Sequence, residues 1–100
     1  MIPIRITAQG CEISEDDREH ADALVMRWPR FDPAAMGASF VFQIEGRSCT
    51  VEAIVSRRRR QPAVARGQGQ NFRGALDELD DHIKRILRRD RTKRKEFRIS

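Results

Sequence analysis

Tyrosine is absent from this sequence, tryptophan occurs once and cysteine only twice, and each scarcity narrows what the chain can be. Cys11 and Cys49 stand apart on predicted strand positions without CxxC spacing, so no disulfide framework is spelled out. They read as small buried thiols of a cytoplasmic protein. No apolar run approaches the ~20 residues that cross a bilayer, and the start, MIPIRITAQG, has no secretory pattern.

Catalytic material is equally thin. His20 and His82 fall on different predicted helices with no nucleophile at a known spacing. Together with Cys11 and Cys49 they make a countable set of zinc ligands, but one without motif spacing. The glycines in GQGQ at 67–70 lack the lysine and hydroxyl of a phosphate loop. Readers of single-stranded bases carry aromatic residues on an open sheet face, whereas Trp28, Phe40, Phe42 and Phe72 fall at inward positions. The expectation is a protein without enzymatic activity, cofactor, metal, membrane partner or small-molecule substrate.

Charge is plentiful and unevenly spread. Residues 1–50 carry 5 Lys/Arg and 8 Asp/Glu, net −3; residues 51–100 carry 15 and 7, net +8; together they give the +5 of the whole chain. Such asymmetry predicts one end that faces a polyanion. The last third concentrates it. From Asn71, the apolar residues Phe72, Leu76, Leu79, Ile83, Ile86 and Leu87 recur at three- and four-residue steps, which at about 100° per residue makes one stripe of an amphipathic helix.

Between residues 84 and 95 stand eight basic side chains and a single acid, Asp90. Lys84, Arg88, Arg91 and Lys95 fall on one flank of the stripe, and His82, Arg85, Arg89 and Lys93 on the other. Pairs such as Asp80–Lys84 and Asp81–Arg85 can balance the early turns, but beyond Arg88 only Asp90 is available. Arginine predominates, and its planar fork suits phosphate oxygens. Nucleic acid, and RNA in particular, is the first partner such a helix indicates.

The rest of the chain reads as β-α-β-β-β-α. Ile2, Ile4 and Ile6 alternate with Pro3, Arg5 and Thr7 in a first strand. Ser14 caps a helix whose first turn is acidic and whose stripe is Ala21, Leu24, Val25 and Trp28; Pro29 ends or kinks it. RFDPAAMGA is a loop, and Ala38, Phe40, Phe42 and Ile44 face inward from a second strand. After a tight turn at Glu45–Ser48, Cys49, Val51, Ala53 and Val55 do so from a third. Arg57, Arg58, Arg59 and Arg60 form a hairpin tip, a mobile finger for phosphates. Gln61–Arg66 makes a weak edge strand containing Pro62, and residues 67–70 are flexible. The fold class is α+β: a four-stranded, mostly antiparallel sheet with two helices packed on one face. One domain is expected over 1–91, with a basic tail at 92–100 that frays.

Three segments together resemble the short ribosome hibernation-promoting factors, also called ribosome-associated inhibitors: IRITAQGCEIS at 4–14, RFD at 30–32 and NFRGALDELDDHIKRIL at 71–87. The resemblance spans nearly the whole chain in the same element order. It implies a double-stranded-RNA-binding-like fold that occupies the messenger and transfer RNA channel of the small ribosomal subunit and silences it. By position, the family's basic contacts fall on Arg85, Arg89, Arg91 and Lys93 in the last helix, and on Arg27 and Arg30 near the end of the first. The sequence is divergent: Arg73 stands for a usual tyrosine, His82 for a usual lysine, and the four-arginine tip for a small turn.

The expected RNA-binding set is therefore Arg27, Arg30, Arg57, Arg58, Arg59, Arg60, His82, Lys84, Arg85, Arg88, Arg89, Arg91 and Lys93. The expected partner is ribosomal RNA of the small subunit, met by a cytoplasmic monomer. The competing expectations are a non-ribosomal structured RNA, or an adaptor that works through its acidic first helix, Glu15 to Asp22.

Overall fold

The computed structural model describes the backbone of residues 2–99 and the side chains of residues 2–89. Its elements are β1 (Ile4–Gln9), α1 (Glu15–Arg27), a 3-10 turn (Trp28–Arg30), β2 (Ala35–Glu45), β3 (Ser48–Arg57), β4 (Arg60–Gly69) and α2 (Phe72–Ile99). The four strands lie side by side in chain order. β1 pairs with β2 in parallel, and the other two ladders are antiparallel. The parallel pair requires a crossover, which α1 supplies.

Local chemistry sets the helix starts. The Ser14 hydroxyl accepts the Asp17 amide at 3.1 Å, and the Asp17 carboxylate accepts the Ser14 amide at 3.4 Å, a reciprocal cap. At α2, the Asn71 side-chain oxygen accepts the Gly74 amide at 2.7 Å. Pro29 ends α1 by turning the chain into the 3-10 turn.

Both helices cover one face of the sheet. Trp28, Phe40 and Phe42 stack in a row with centroids 5.8 and 6.2 Å apart, and Phe72 meets Phe42 edge-on at 5.2 Å. Leu24 and Val25 from α1, and Leu76, Leu79, Ile83 and Leu87 from α2, close over Val51 and Val55. Beneath α2 the inward positions of β4 are small, Ala63, Ala65 and Gly67, and so is Ala53 of β3. A Cβ on Gly67 would stand 2.0 Å from the Ala75 carbonyl oxygen and 2.6 Å from the Leu79 nitrogen, so only glycine lets the helix lie this close.

That contact corrects the reading of residues 67–70 as flexible. Gly67 and Gly69 belong to β4, which runs to Gly69, three residues past Arg66. β2 likewise starts at Ala35, inside the expected loop, because Asp32 holds the chain there: its Oδ1 accepts the Ala34 amide at 2.9 Å. Ile44, expected inward and buried, is 53% exposed. It lies one residue beyond Gln43, the last position of β2 that pairs with β1. α2 runs from Phe72 to Ile99.

Candidate nucleic-acid interface

The strand order decides where charge collects. β2 starts, β3 ends and β4 starts at one pole, where Ala35 pairs with Arg57 and Arg57 with Arg60. α1 ends there, and α2 travels towards it. Arg27 and Arg30, from the acidic half of the sequence, thus join Arg57–Arg60, Arg85, Arg88 and Arg89. The opposite pole gathers Glu12, Glu15, Asp16, Asp17 and Glu45, with Asp77 and Glu78 from the basic half. A charge division along the sequence has become a division along the strands.

Asp32 organises the basic pole. It is 1% exposed, and its Oδ2 accepts Arg60 Nη1 at 3.1 Å and Arg57 Nη1 at 3.5 Å. Arg57 also donates through Nε to the Gln61 carbonyl at 2.9 Å, and the Arg58 amide donates to the Ala34 carbonyl at 2.8 Å. The expected mobile finger of four guanidiniums is therefore corrected. Arg57 is buried, Arg60 is half-buried, and both are drawn inward to a carboxylate. Of the four, only Arg58 and Arg59 are exposed, on a turn braced from behind.

Asp32 and its neighbour Phe31 were visible only as part of a sequence triplet. The signal was available in principle: β3 alternates Val51, Ala53 and Val55 inward, and the same count of two carries Arg57 inward, where it needs a counter-ion.

The two flanks of α2 meet different surroundings. On one, Lys84 Nζ sits 3.2 Å from Asp80 Oδ2 and 3.6 Å from Asp81 Oδ1, and the Arg88 guanidinium lies over the Phe31 ring at 4.7 Å. The Asp80–Lys84 pair forms as expected; Asp81 meets Lys84 in place of Arg85, one turn away. On the other flank, His82 Nδ1 is 2.8 Å from the Arg66 carbonyl oxygen. A carbonyl can only accept, so that nitrogen carries the proton. Arg85 and Arg89 are exposed on α2, as are Arg27 at the end of α1 and Arg30 in the 3-10 turn that follows. The side chains of Arg91 and Lys93 lie outside the described residues.

The uncovered sheet face presents Ser39, Val41, Gln43, Glu52, Ile54, Val64 and Arg66, with no aromatic ring among the described residues. Phe31 is already under Arg88. The arrangement suits gripping phosphates and offers no platform for stacked bases. His20 lies 2.6 Å from Asp77 across the two helices, while the Cys11 and Cys49 thiols point at the carbonyls of Phe42 and Gln70. Among the described residues, no group of three or more potential metal ligands comes together, and no helix is long and apolar enough to cross a membrane.

The sequence profile of the family described as sigma 54 modulation protein / S30EA ribosomal protein matches residues 4–95. The chain belongs to that family. It is the family that the opening strand, Arg30–Asp32 and the last helix resemble, and its description is not that of an enzyme class.

Solved structures with the same fold include a ribosomal subunit interface protein from Coxiella burnetii, 20% identical, with a TM-score of 0.83 over 91% of this chain and 99% of that one. The N-terminal domain of Protein Y from Thermus thermophilus is 17% identical, with a TM-score of 0.77 over 89% and 98% of the two chains. No curated protein sequence matches significantly.

Proposed function

We propose that this protein is a cytoplasmic, non-enzymatic hibernation factor that binds the small ribosomal subunit as a monomer. It occupies the RNA-lined channel used by messenger and transfer RNA, and so silences the ribosome. The observation that carries this reading is the convergence of Arg27, Arg30, Arg58, Arg59, Arg85, Arg88 and Arg89 on one pole of a sheet that offers no stacking platform. Such a surface takes its affinity from the phosphate backbone and recognises the shape of a folded RNA. Membership of a family described by ribosomal and modulation proteins supports the ribosome as that RNA.

Sedimentation with ribosomes through sucrose gradients at low salt tests it. The protein should travel with the small subunit, and translation of a reporter should fall as it is added. Recovery only at the top of the gradient contradicts the reading.

A second reading has one observation in its favour. Ile2, Pro3, Ile4, Val25, Met26 and Pro29, with Asp22 at the rim, line a concavity of about 490 Å³ between β1 and α1, and Met26 is 67% exposed. An adaptor working through acidic α1 would use this side. Its complexes would survive RNase, whereas RNA-bridged ones would not.

A further inference from the structure

The turn between β3 and β4 is built in a way that the reading above does not require. Arg59 has φ 58°, and among the described residues it is the one non-glycine with positive φ. The other hairpin of the sheet meets the same demand with Gly46, at φ 61°. Left-handed backbone is strained for a long side chain and not for glycine. Arg59 therefore occupies a position where glycine would give a more stable turn, which points to work done by the side chain.

The surroundings show what that work could be. The Arg58 amide is tied to the Ala34 carbonyl at 2.8 Å. One residue behind the turn on each side, Arg57 and Arg60 are held by buried Asp32. Asp32 is fixed in turn by the Ala34 amide. This bracing holds the turn's backbone before any ligand arrives. Arg58 and Arg59 project from it exposed and, with Pro33 and Ala34, line a concavity of about 390 Å³. Two exposed guanidiniums line it, so the concavity is electropositive. Flexible loops lose affinity when they must be ordered on binding, and a braced turn avoids that loss.

We propose that Arg58 and Arg59 form a pre-positioned clamp for the phosphodiester backbone of folded RNA, a contact separate from the arginines of α2 and held in place by Asp32. The clamp rests on the RNA-binding reading given above. It makes that binding two-pronged: α2 provides one set of phosphate contacts and the hairpin turn another, on the same pole.

Binding of the full chain to purified small ribosomal subunits, measured across a series of KCl concentrations, tests the clamp. Four proteins are compared: the wild type, Arg59→Gly, the double variant Arg58→Gln/Arg59→Gln, and Arg47→Gln, which removes one exposed arginine from the opposite pole. Arg59→Gly should melt at a higher temperature than the wild type yet bind more weakly, with the slope of log affinity against log salt reduced by about 1. The double variant should lose roughly tenfold or more in affinity, with the slope reduced by about 2. Arg47→Gln should leave both quantities unchanged.

Wild-type binding with unaltered slopes in both turn variants overturns the clamp while leaving RNA binding intact. A slope reduced as much by Arg47→Gln as by Arg59→Gly also overturns it, because the effect is then one of overall charge. No binding by the wild type overturns the RNA-binding reading itself, and the clamp falls with it.

Discussion

The indole nitrogen of Trp28 donates to Asp80 Oδ1 at 2.8 Å, joining the end of the first helix to the middle of the last inside the core. Trp28 is fully buried and Asp80 is 7% exposed; the second oxygen of Asp80 meets Lys84. A carboxylate can stay buried here because both of its oxygens have partners. Asp80→Ala removes the acceptor and leaves the indole N–H unmet, so it should lower unfolding free energy by about 1–3 kcal/mol. Asp80→Asn keeps an acceptor for the indole and should cost less. Urea unfolding of the two variants against the wild type checks the order.

The close approach of α2 to β4 makes a contrast between two glycines. Gly67→Ala forces a methyl to within 2.0 Å of the Ala75 carbonyl. The helix must move away, at a cost of about 1–3 kcal/mol or more. Gly37→Ala meets only the Pro3 carbonyl oxygen at 3.7 Å, an ordinary contact, and should fall within about 0.5 kcal/mol of the wild type. Thermal melts of both variants measure the difference.

Asp32 balances Arg57, whose side chain is only 6% exposed. Asp32→Ala should therefore cost about 1–3 kcal/mol, because it removes the buried acceptor that Arg57 and Arg60 share. Adding Arg57→Met should recover part of that loss, since the more deeply buried of the two guanidiniums that Asp32 meets is gone. Chemical denaturation of the single and double variants tests the coupling; independent, additive losses would contradict it.

The fold was legible because its signals are short in range. Alternation placed Phe40, Phe42, Val51 and Val55 on one face, the three- and four-residue stripe placed Leu76, Leu79 and Ile83 on one helix side, and Ser14 and Asn71 marked helix starts. Contacts between distant segments were not legible. Asp80 was read correctly as a partner for Lys84, but its burial comes from Trp28, on another helix. Residues 67–70 looked flexible because glycine weakens a strand on its own; here its missing Cβ admits α2. The arginine run 57–60 looked uniform, yet period two and the buried Asp32 turn Arg57 and Arg60 inward and leave Arg58 and Arg59 outside.

Arg85 and Arg89 are exposed on the ridge of α2, and reversing both to glutamate should remove ribosome binding without lowering the melting temperature by more than a few degrees. Exposed charges away from the core contribute little to stability, whereas each lost phosphate contact acts directly on affinity. A variant that still sediments with ribosomes would show that α2 is not the gripping surface.

The central claim is that the basic pole holds ribosomal RNA by its phosphates, and the salt dependence of binding to small subunits measures this most directly. With six or more phosphates contacted, affinity should fall roughly a thousandfold or more between about 50 and 200 mM salt. An affinity that hardly changes over that range would contradict the account.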